Sequence, residues 1–176
     1  MKKKFKLFAT IGSLALAVCM MTIGVLAAAQ VTLNVNSTVS FSSVSSFVDI
    51  SASVTGFASQ EEGKEDTYTF THDKTKPNKA PGAWDVGALT FDESHSSIVY
   101  TIKVTNHSEH NVSIAVTGMP SAITGQLTVT EDKTGNDSIK PNGNATYKLT
   151  LTVTDFSQNL ASTQVNLVVT IDKVAE

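Results

Sequence analysis

The sequence contains no arginine, one cysteine and one tryptophan; all 13 basic residues are lysine. Without arginine, the chain lacks the planar guanidinium that binds a phosphate or carboxylate through two parallel hydrogen bonds. Charged residues make up 16% of the chain and aromatic residues 7%. We therefore expect a surface built mainly from Ser, Thr and Asn, with few ion pairs.

Positive charge is also scarce after the first 29 residues. Four lysines lie before residue 7, which leaves nine lysines against 16 acidic residues and a formal charge of −7 for residues 30–176. Nucleic acids are bound through clusters of Lys and Arg on their phosphates. The charge balance therefore argues against nucleic acid as a partner.

The first 29 residues have the three parts of a secretory signal peptide. Lys2–Lys6 is basic, Leu7–Leu26 is apolar, and Ala27–Ala29 is a run of small residues. We expect a signal helix over residues 1–29, cleaved after Ala29; an uncleaved membrane anchor is the alternative, because about 20 apolar residues can span a bilayer. The sequence thus predicts a secreted or cell-surface protein that contacts membrane only through this leader.

The single cysteine lies inside the leader. Cys19 follows Val18 rather than the small residue of a lipoprotein signal, and more apolar sequence follows it. We expect Cys19 to leave with the leader, so the mature domain has no disulfide although export permits one. Ile171–Glu176 contains no wall-sorting signal. The folded domain must then be stabilised by its core alone.

Apolar residues alternate with polar ones along most of the mature chain, which is the period of a half-buried β-strand. The clearest run is Ala145–Val153, and others lie at Val31–Phe41, Val48–Val54 and Val165–Ile171. Ser97–Val116 reads as two strands around a polar turn, and we expect a β-hairpin there at the centre of the fold. With roughly eight to ten short strands and no helical period after the leader, residues 30–176 are predicted to form one all-β domain, an antiparallel β-sandwich.

Two segments resemble bacterial immunoglobulin-like surface modules. The pattern Tyr-x-Ile-x-Val-x-Asn-x-Ser at Tyr100–Ser108 is similar to their paired-strand signature. Ile139–Gly143, followed by the strand Ala145–Val153, is similar to the apolar-x-Pro turn and long strand that come next in such modules. This resemblance implies an immunoglobulin-like form of the sandwich.

The order of a long leader followed at once by strands also resembles the camelysin and TasA group of exported bacterial proteins. That resemblance implies a role in fibres or extracellular matrix. Camelysins are classed as metallopeptidases, but this chain has no zinc-protease motif, and no functional residue of the group can be placed on it. We therefore predict no enzymatic activity.

The sequence offers histidine and acidic clusters as candidate metal sites. His107 and His110 form an H-x-x-H beside Glu109, but a zincin needs H-E-x-x-H on a helix, so we expect a solvated loop. His72 and His95 read as isolated, solvent-facing residues. The acidic turns 61–66 and 131–137 lack the ligand spacing of an EF-hand, so calcium binding remains the lesser alternative there. No cofactor is expected.

Two functions from different classes remain. The first is a structural or adhesive module that pairs with other surface or matrix proteins, or with itself, through an N-terminal strand. The residues expected in that assembly strand alternate along it: Val31, Leu33, Val35, Val39 and Phe41. The second is a monomeric module that binds a glycan or protein ligand through the loop that carries Lys79 and Trp84.

Overall fold

The structure is a computed structural model that describes residues 33–43, 47–76, 79–135, 138–157 and 163–174. The chain divides into two compact units, Met1–Val31 and Thr32–Glu176, and all described residues lie in the second. The predicted leader, its cleavage point, Cys19 and Val31 lie outside them. Among the described residues, no helix is long and apolar enough to span a membrane.

The described part of the chain is all-β, as predicted. Its eleven strands are β1 Leu33–Ser43, β2 Val48–Thr55, β3 Ser59–Gln60, β4 Thr67–Phe70, β5 Ala83–Phe91, β6 Ser97–Asn106, β7 Val112–Thr117, β8 Leu127–Thr134, β9 Ser138–Ile139, β10 Asn144–Val153 and β11 Thr163–Lys173. They form a six-stranded sheet of order β3-β5-β1-β11-β7-β9 and a five-stranded sheet of order β4-β2-β6-β10-β8. The two-residue strands β3 and β9 were not predicted, because two residues are too few to show alternation.

The core lies between the two sheets and follows directly from the alternation. In β10, residues 145, 147, 149, 151 and 153 are buried and the residues between them face outward or are half-buried. The other long strands alternate in the same way. As a result, Val39 and Leu167 of one sheet and Ile102 and Leu149 of the other lie in a single buried apolar cluster. Burial of such side chains contributes roughly 1.5–3 kcal/mol each, so this cluster supplies the stability that no disulfide provides within the described residues.

β1 is an interior strand of the six-stranded sheet. It pairs antiparallel with β5 and parallel with β11. The prediction of a wholly antiparallel sandwich is therefore wrong at this one pair. Parallel neighbours need a long connection, and here the connection is almost the whole domain, so no local pattern could reveal it.

The predicted hairpin over Ser97–Val116 is also wrong. β6 pairs with β2 and β10, whereas β7 pairs with β11 and β9 in the other sheet. The turn is thus an arch that carries the chain from one sheet to the other. Alternation shows which face of a strand is buried but not which strand it pairs with, and both strands turn their apolar faces to the same core.

The arch is held by the buried side chain of Asn106, the last residue of β6. Its amide nitrogen donates to the carbonyl oxygens of His110, at 2.8 Å, and Ile139, at 2.9 Å. Its side-chain oxygen accepts from the backbone N–H and the hydroxyl of Ser108, at 2.8 and 2.7 Å. All of these groups lose water on folding, so the single carboxamide satisfies several polar groups that would otherwise be unpaired.

We predict that Asn106→Ala lowers the free energy of unfolding by about 3 kcal/mol or more, because each buried polar group left without a partner costs roughly 1–3 kcal/mol. Urea unfolding followed by tryptophan fluorescence measures this. The matched control is Asn166→Ala on β11, where an exposed asparagine accepts one hydrogen bond from Thr38. A loss at Asn106 no larger than at Asn166 would show that the carboxamide does not hold the arch.

Tyr100 of β6 is fully buried and faces β1 across the core. Burial raises the pKa of Tyr100 to about 12, and the nearby Ser37 hydroxyl offsets part of that rise. The ordinary value is 10.0, so the unfolded chain ionises this phenol first as the pH rises.

We therefore predict that the contribution of Tyr100 to stability is complete below pH 10 and is lost between about pH 10 and 12, with a size of roughly 2–3 kcal/mol. Urea unfolding of the wild type and of Tyr100→Phe at pH 9 and pH 11 measures it. The wild type should lose more stability than the variant over that interval. Equal losses in the two proteins would contradict a buried, neutral phenol.

Candidate functional site

Three chain segments meet at one end of the five-stranded sheet, where β4, β2 and β6 are neighbours. Asp49 is the second residue of β2, His72 follows β4 by two residues, and His107 directly follows β6. Because both pairings are antiparallel, the start of β2 lies beside the ends of β4 and β6. The sheet itself therefore brings residues 49, 72 and 107 together.

Asp49 points away from the core. Its neighbours Val48 and Ile50 are buried, and successive residues of a strand face opposite sides. The side chain of Asp49 is 36% exposed, and those of His72 and His107 are 24% and 29% exposed. The three side chains thus form a half-buried cluster on the outer face of the sheet, within reach of solvent.

The two histidines share the carboxylate of Asp49. Nδ1 of His72 lies 2.8 Å from Oδ1, and Nε2 of His107 lies 2.8 Å from Oδ2. The imidazole rings stack with their centroids 4.1 Å apart and their planes 17° from parallel. The three facing ligand-type atoms all lie within 4.8 Å of one another. This cluster of Asp49, His72 and His107 is called the His–Asp–His cluster below.

Backbone hydrogen bonds fix both histidines. The N–H of His72 donates to Oδ1 of Asp49 at 2.8 Å. The N–H of His107 donates to the carbonyl of Phe47 at 2.6 Å. Asn106, which holds the arch, directly precedes His107. The ring positions are therefore set by the sheet and the arch rather than by loose surface contacts.

The cluster also controls the charge of Asp49. Burial by itself raises the pKa of this carboxyl, but hydrogen bonds from the His72 backbone and from the His72 and His107 rings outweigh that effect, and the pKa lies below its usual value. Asp49 is thus ionised at neutral pH. A carboxylate and two imidazoles are ligand types for zinc and similar ions. Without an ion, their hydrogen bonds alone connect β2 to the segments that follow β4 and β6.

The remaining histidines do not join this cluster. His110 lines an adjoining surface groove with His107, Lys74 and Glu109, and His95 pairs with Asp92 through Nδ1 at 2.9 Å. The H-x-x-H motif therefore contributes only its first histidine. The prediction that His72 stands alone is wrong, since strand pairing places it against Asp49.

Trp84, predicted as a ligand contact, belongs to the core and is 2% exposed. Its Nε1–H donates to the carbonyl of Glu65 at 2.9 Å, and its ring stacks on Tyr68 with centroids 6.5 Å apart. Lys79 Nζ lies 5.4 Å from the centroid of the Phe70 ring. Trp84 therefore does not present its ring to solvent, and a ligand contact at these two residues stays a prediction.

The acidic turns do not gather ligands within the described residues. Among the described residues, the His–Asp–His cluster is the one group of three or more His, Cys, Asp or Glu close enough to share an ion. In the first turn, Lys64 instead forms an ion pair with Asp85, with Nζ 2.6 Å from Oδ2. Asn136 and Asp137 of the second turn lie outside the described residues.

Four of the five residues expected in the assembly strand, Leu33, Val35, Val39 and Phe41, are buried in the core of their own chain. They form the inward face of β1, between β5 and β11. The strand is thus closed on both sides within this chain, and it does not offer a free edge.

Comparison with known proteins gives no assignment. No protein-family model matches the chain, and no curated protein matches its sequence. The functional argument therefore depends on the residues and their geometry.

We predict that Asp49→Ala speeds hydrogen exchange at the backbone amide of His72 at least about tenfold, because that N–H loses its acceptor and becomes open to water. Amide exchange measured by NMR tests this. Asp73→Ala is the matched control in the same loop: Asp73 accepts from the backbone N–H of Thr75 at 2.9 Å, so it should affect Thr75 and not His72. Unchanged exchange at His72 in Asp49→Ala would contradict the geometry of the cluster.

Proposed function

We propose that this chain is a non-enzymatic structural module of the cell surface or extracellular matrix, with an immunoglobulin-like sandwich, and that copies assemble by exchanging β1. The observation that supports this best is the character of β1. It is the first described strand, it has eleven residues without a charge, and its apolar residues face inward between β5 and β11. Another copy of the same strand fits the same place.

The outer edges of the two sheets favour exchange over simple addition of a strand at an edge. β3 and β9 have two residues each and β4 has four, which gives a new strand little to pair with. β8 is longer, but it carries Glu131, Asp132 and Lys133, and charged residues protect edges from pairing. The two flanks of β1 offer a much longer backbone template, along β11 and β5.

Ser37 gives the exchanged strand a defined register. It is the one fully buried polar residue of β1, and it lies beside the buried Tyr100 hydroxyl. The pairing of β1 with β5 also shifts register between Ser37 and Thr38. A strand shifted by two residues would still turn its apolar side to the core, but it would place Val35 or Val39 against the Tyr100 phenol. It would also move the register shift away from its position opposite β5.

The exchange also limits the distance between neighbouring copies. Four residues, 44–47, separate β1 from β2, and four extended residues span at most about 14 Å. A donated β1 must therefore enter a sandwich that touches its own. Strands of eleven residues are about 35 Å long, so the repeat of such an assembly is close to the length of one domain.

The alternative, a monomeric ligand-binding module, has weaker support. The aromatic ring expected to stack on a ligand, that of Trp84, is buried and hydrogen-bonded to the backbone. The groove beside His107 is lined by Lys74, Lys173 and Glu109, so it carries charges of both signs and no strong charge of one sign to select a ligand.

Cysteine pairing between different copies tests strand exchange directly. Thr38 of β1 and Asn166 of β11 are exposed register partners, with Oγ1 and Oδ1 3.0 Å apart. The only native cysteine lies in the leader, so residues 30–176 have none. Thr38→Cys and Asn166→Cys proteins, unfolded, mixed, refolded and oxidised, should form mixed disulfides in the assembled fraction, since paired strands meet the distance that a disulfide needs.

The double variant Thr38→Cys/Asn166→Cys is the matched control. When oxidised before assembly, it locks β1 in its own sandwich and should stay monomeric until it is reduced. Two results would contradict exchange of β1. In the first, the two single variants assemble but form no mixed disulfide. In the second, the locked protein assembles as well as the reduced one.

A further inference from the structure

We propose that the His–Asp–His cluster binds a divalent transition-metal ion, of which Zn²⁺ is the representative, and that the ion ties β2 to the segments that follow β4 and β6. The proposal rests on the geometry at one end of the five-stranded sheet and is independent of strand exchange. It assigns the ion a structural role and no catalytic one.

The ligand set selects the class of ion. Two imidazole nitrogens and a carboxylate suit Zn²⁺, Co²⁺ and Ni²⁺, whereas Ca²⁺ and Mg²⁺ prefer oxygen ligands alone. In the cluster, His72 Nδ1, His107 Nε2 and the Asp49 carboxylate come from three separate segments and lie within 4.8 Å of one another. Three protein ligands leave at least one position for water, in keeping with the partial exposure of all three side chains.

The distances need only a small adjustment. Ligand atoms about 2.0–2.1 Å from a tetrahedral ion lie roughly 3.3 Å from one another, whereas each facing nitrogen is now 2.8 Å from a carboxylate oxygen. Each nitrogen–oxygen pair must open by about half an ångström, and the two stacked rings must turn so that both nitrogens point at the ion, which half-exposed side chains permit. The backbone bonds that fix His72 and His107 run to Asp49 and Phe47, so the histidines are oriented before an ion arrives.

An ion can replace the two ring–carboxylate hydrogen bonds without removing a proton from either ring. A neutral imidazole that donates to the carboxylate carries its proton on the facing nitrogen, and that nitrogen becomes a ligand when the proton moves to the other ring nitrogen. Binding of the ion then needs no net loss of a proton from either ring. The Asp49 carboxylate supplies one negative charge, which offsets half of the charge of the ion.

The groove next to His107 carries charges of both signs, with one more lysine than carboxylate. Lys74 and Lys173 line the groove next to His107, and Glu109 lines it from the arch. The cluster therefore lacks the excess of carboxylates typical of calcium loops, and the two imidazoles must supply most of the binding. This predicts selectivity for Zn²⁺ over Ca²⁺.

The test is a titration of the full chain, held in mild detergent because of its apolar leader, with ZnCl₂ by calorimetry and with Co²⁺ by visible absorption. Cys19→Ser is used as the background, so that its thiol does not bind metal. We expect one Zn²⁺ per chain with micromolar or tighter affinity, no response to Ca²⁺, and a rise in the melting temperature with Zn²⁺.

Single substitutions locate the ion. His72→Ala and His107→Ala should each weaken Zn²⁺ binding by at least about 10- to 100-fold and abolish the Zn²⁺-dependent rise in melting temperature. His95→Ala is the matched control, because His95 shares its carboxylate, that of Asp92, with no second histidine among the described residues, and it should bind as the parent does. Long-range ¹H–¹⁵N spectra of the imidazoles should show Zn²⁺ shifts at Nδ1 of His72 and Nε2 of His107.

Three results would overturn the proposal. They are the absence of Zn²⁺ binding at 100-fold excess, equal affinity in the parent and both histidine variants, and imidazole shifts confined to His95 or His110. Circular dichroism of each variant without metal separates loss of a ligand from loss of fold; if His72→Ala or His107→Ala unfolds, His72→Gln and His107→Gln take its place.

Discussion

The buried carboxamide of Asn106 is the interaction on which the two-sheet arrangement depends. β6 and β7 are adjacent in sequence but lie in different sheets, and the chain can turn between them only if the polar groups of the arch are satisfied away from water. Asn106 satisfies them from both sides, through the carbonyls of His110 and Ile139 and the amide of Ser108. Because His107 follows directly, the same residue also sets one side of the His–Asp–His cluster.

The strands themselves could be predicted because burial imposes a period of two on the sequence, most clearly in β10 and β11. Their pairing could not. A buried face looks the same whether its strand pairs with the next one in sequence or packs across the core from it, which is why Ser97–Val116 was predicted as a hairpin and is an arch. The parallel pairing of β1 with β11 joins residues more than a hundred positions apart, for example Val39 and Leu167.

The His–Asp–His cluster was missed for the same reason. Residues 49, 72 and 107 have no characteristic spacing, and only the order β4-β2-β6 brings them together. The one local signal, the H-x-x-H at His107 and His110, indicated the wrong partner, because His107 points to Asp49 and His110 lines the groove. Trp84 shows the opposite case: the sequence favours a core position for a lone tryptophan but also allows a surface position beside Pro81 and Gly82, and the packing places it in the core.

Light scattering during size exclusion, with electron microscopy of the same sample of residues 30–176, tests the central claim of self-assembly most directly. A module that exchanges β1 should form oligomers or fibres after unfolding and refolding at high concentration, with a repeat of about 35 Å, the length of one strand of eleven residues. A protein that refolds only to a monomer at every concentration would contradict assembly through β1.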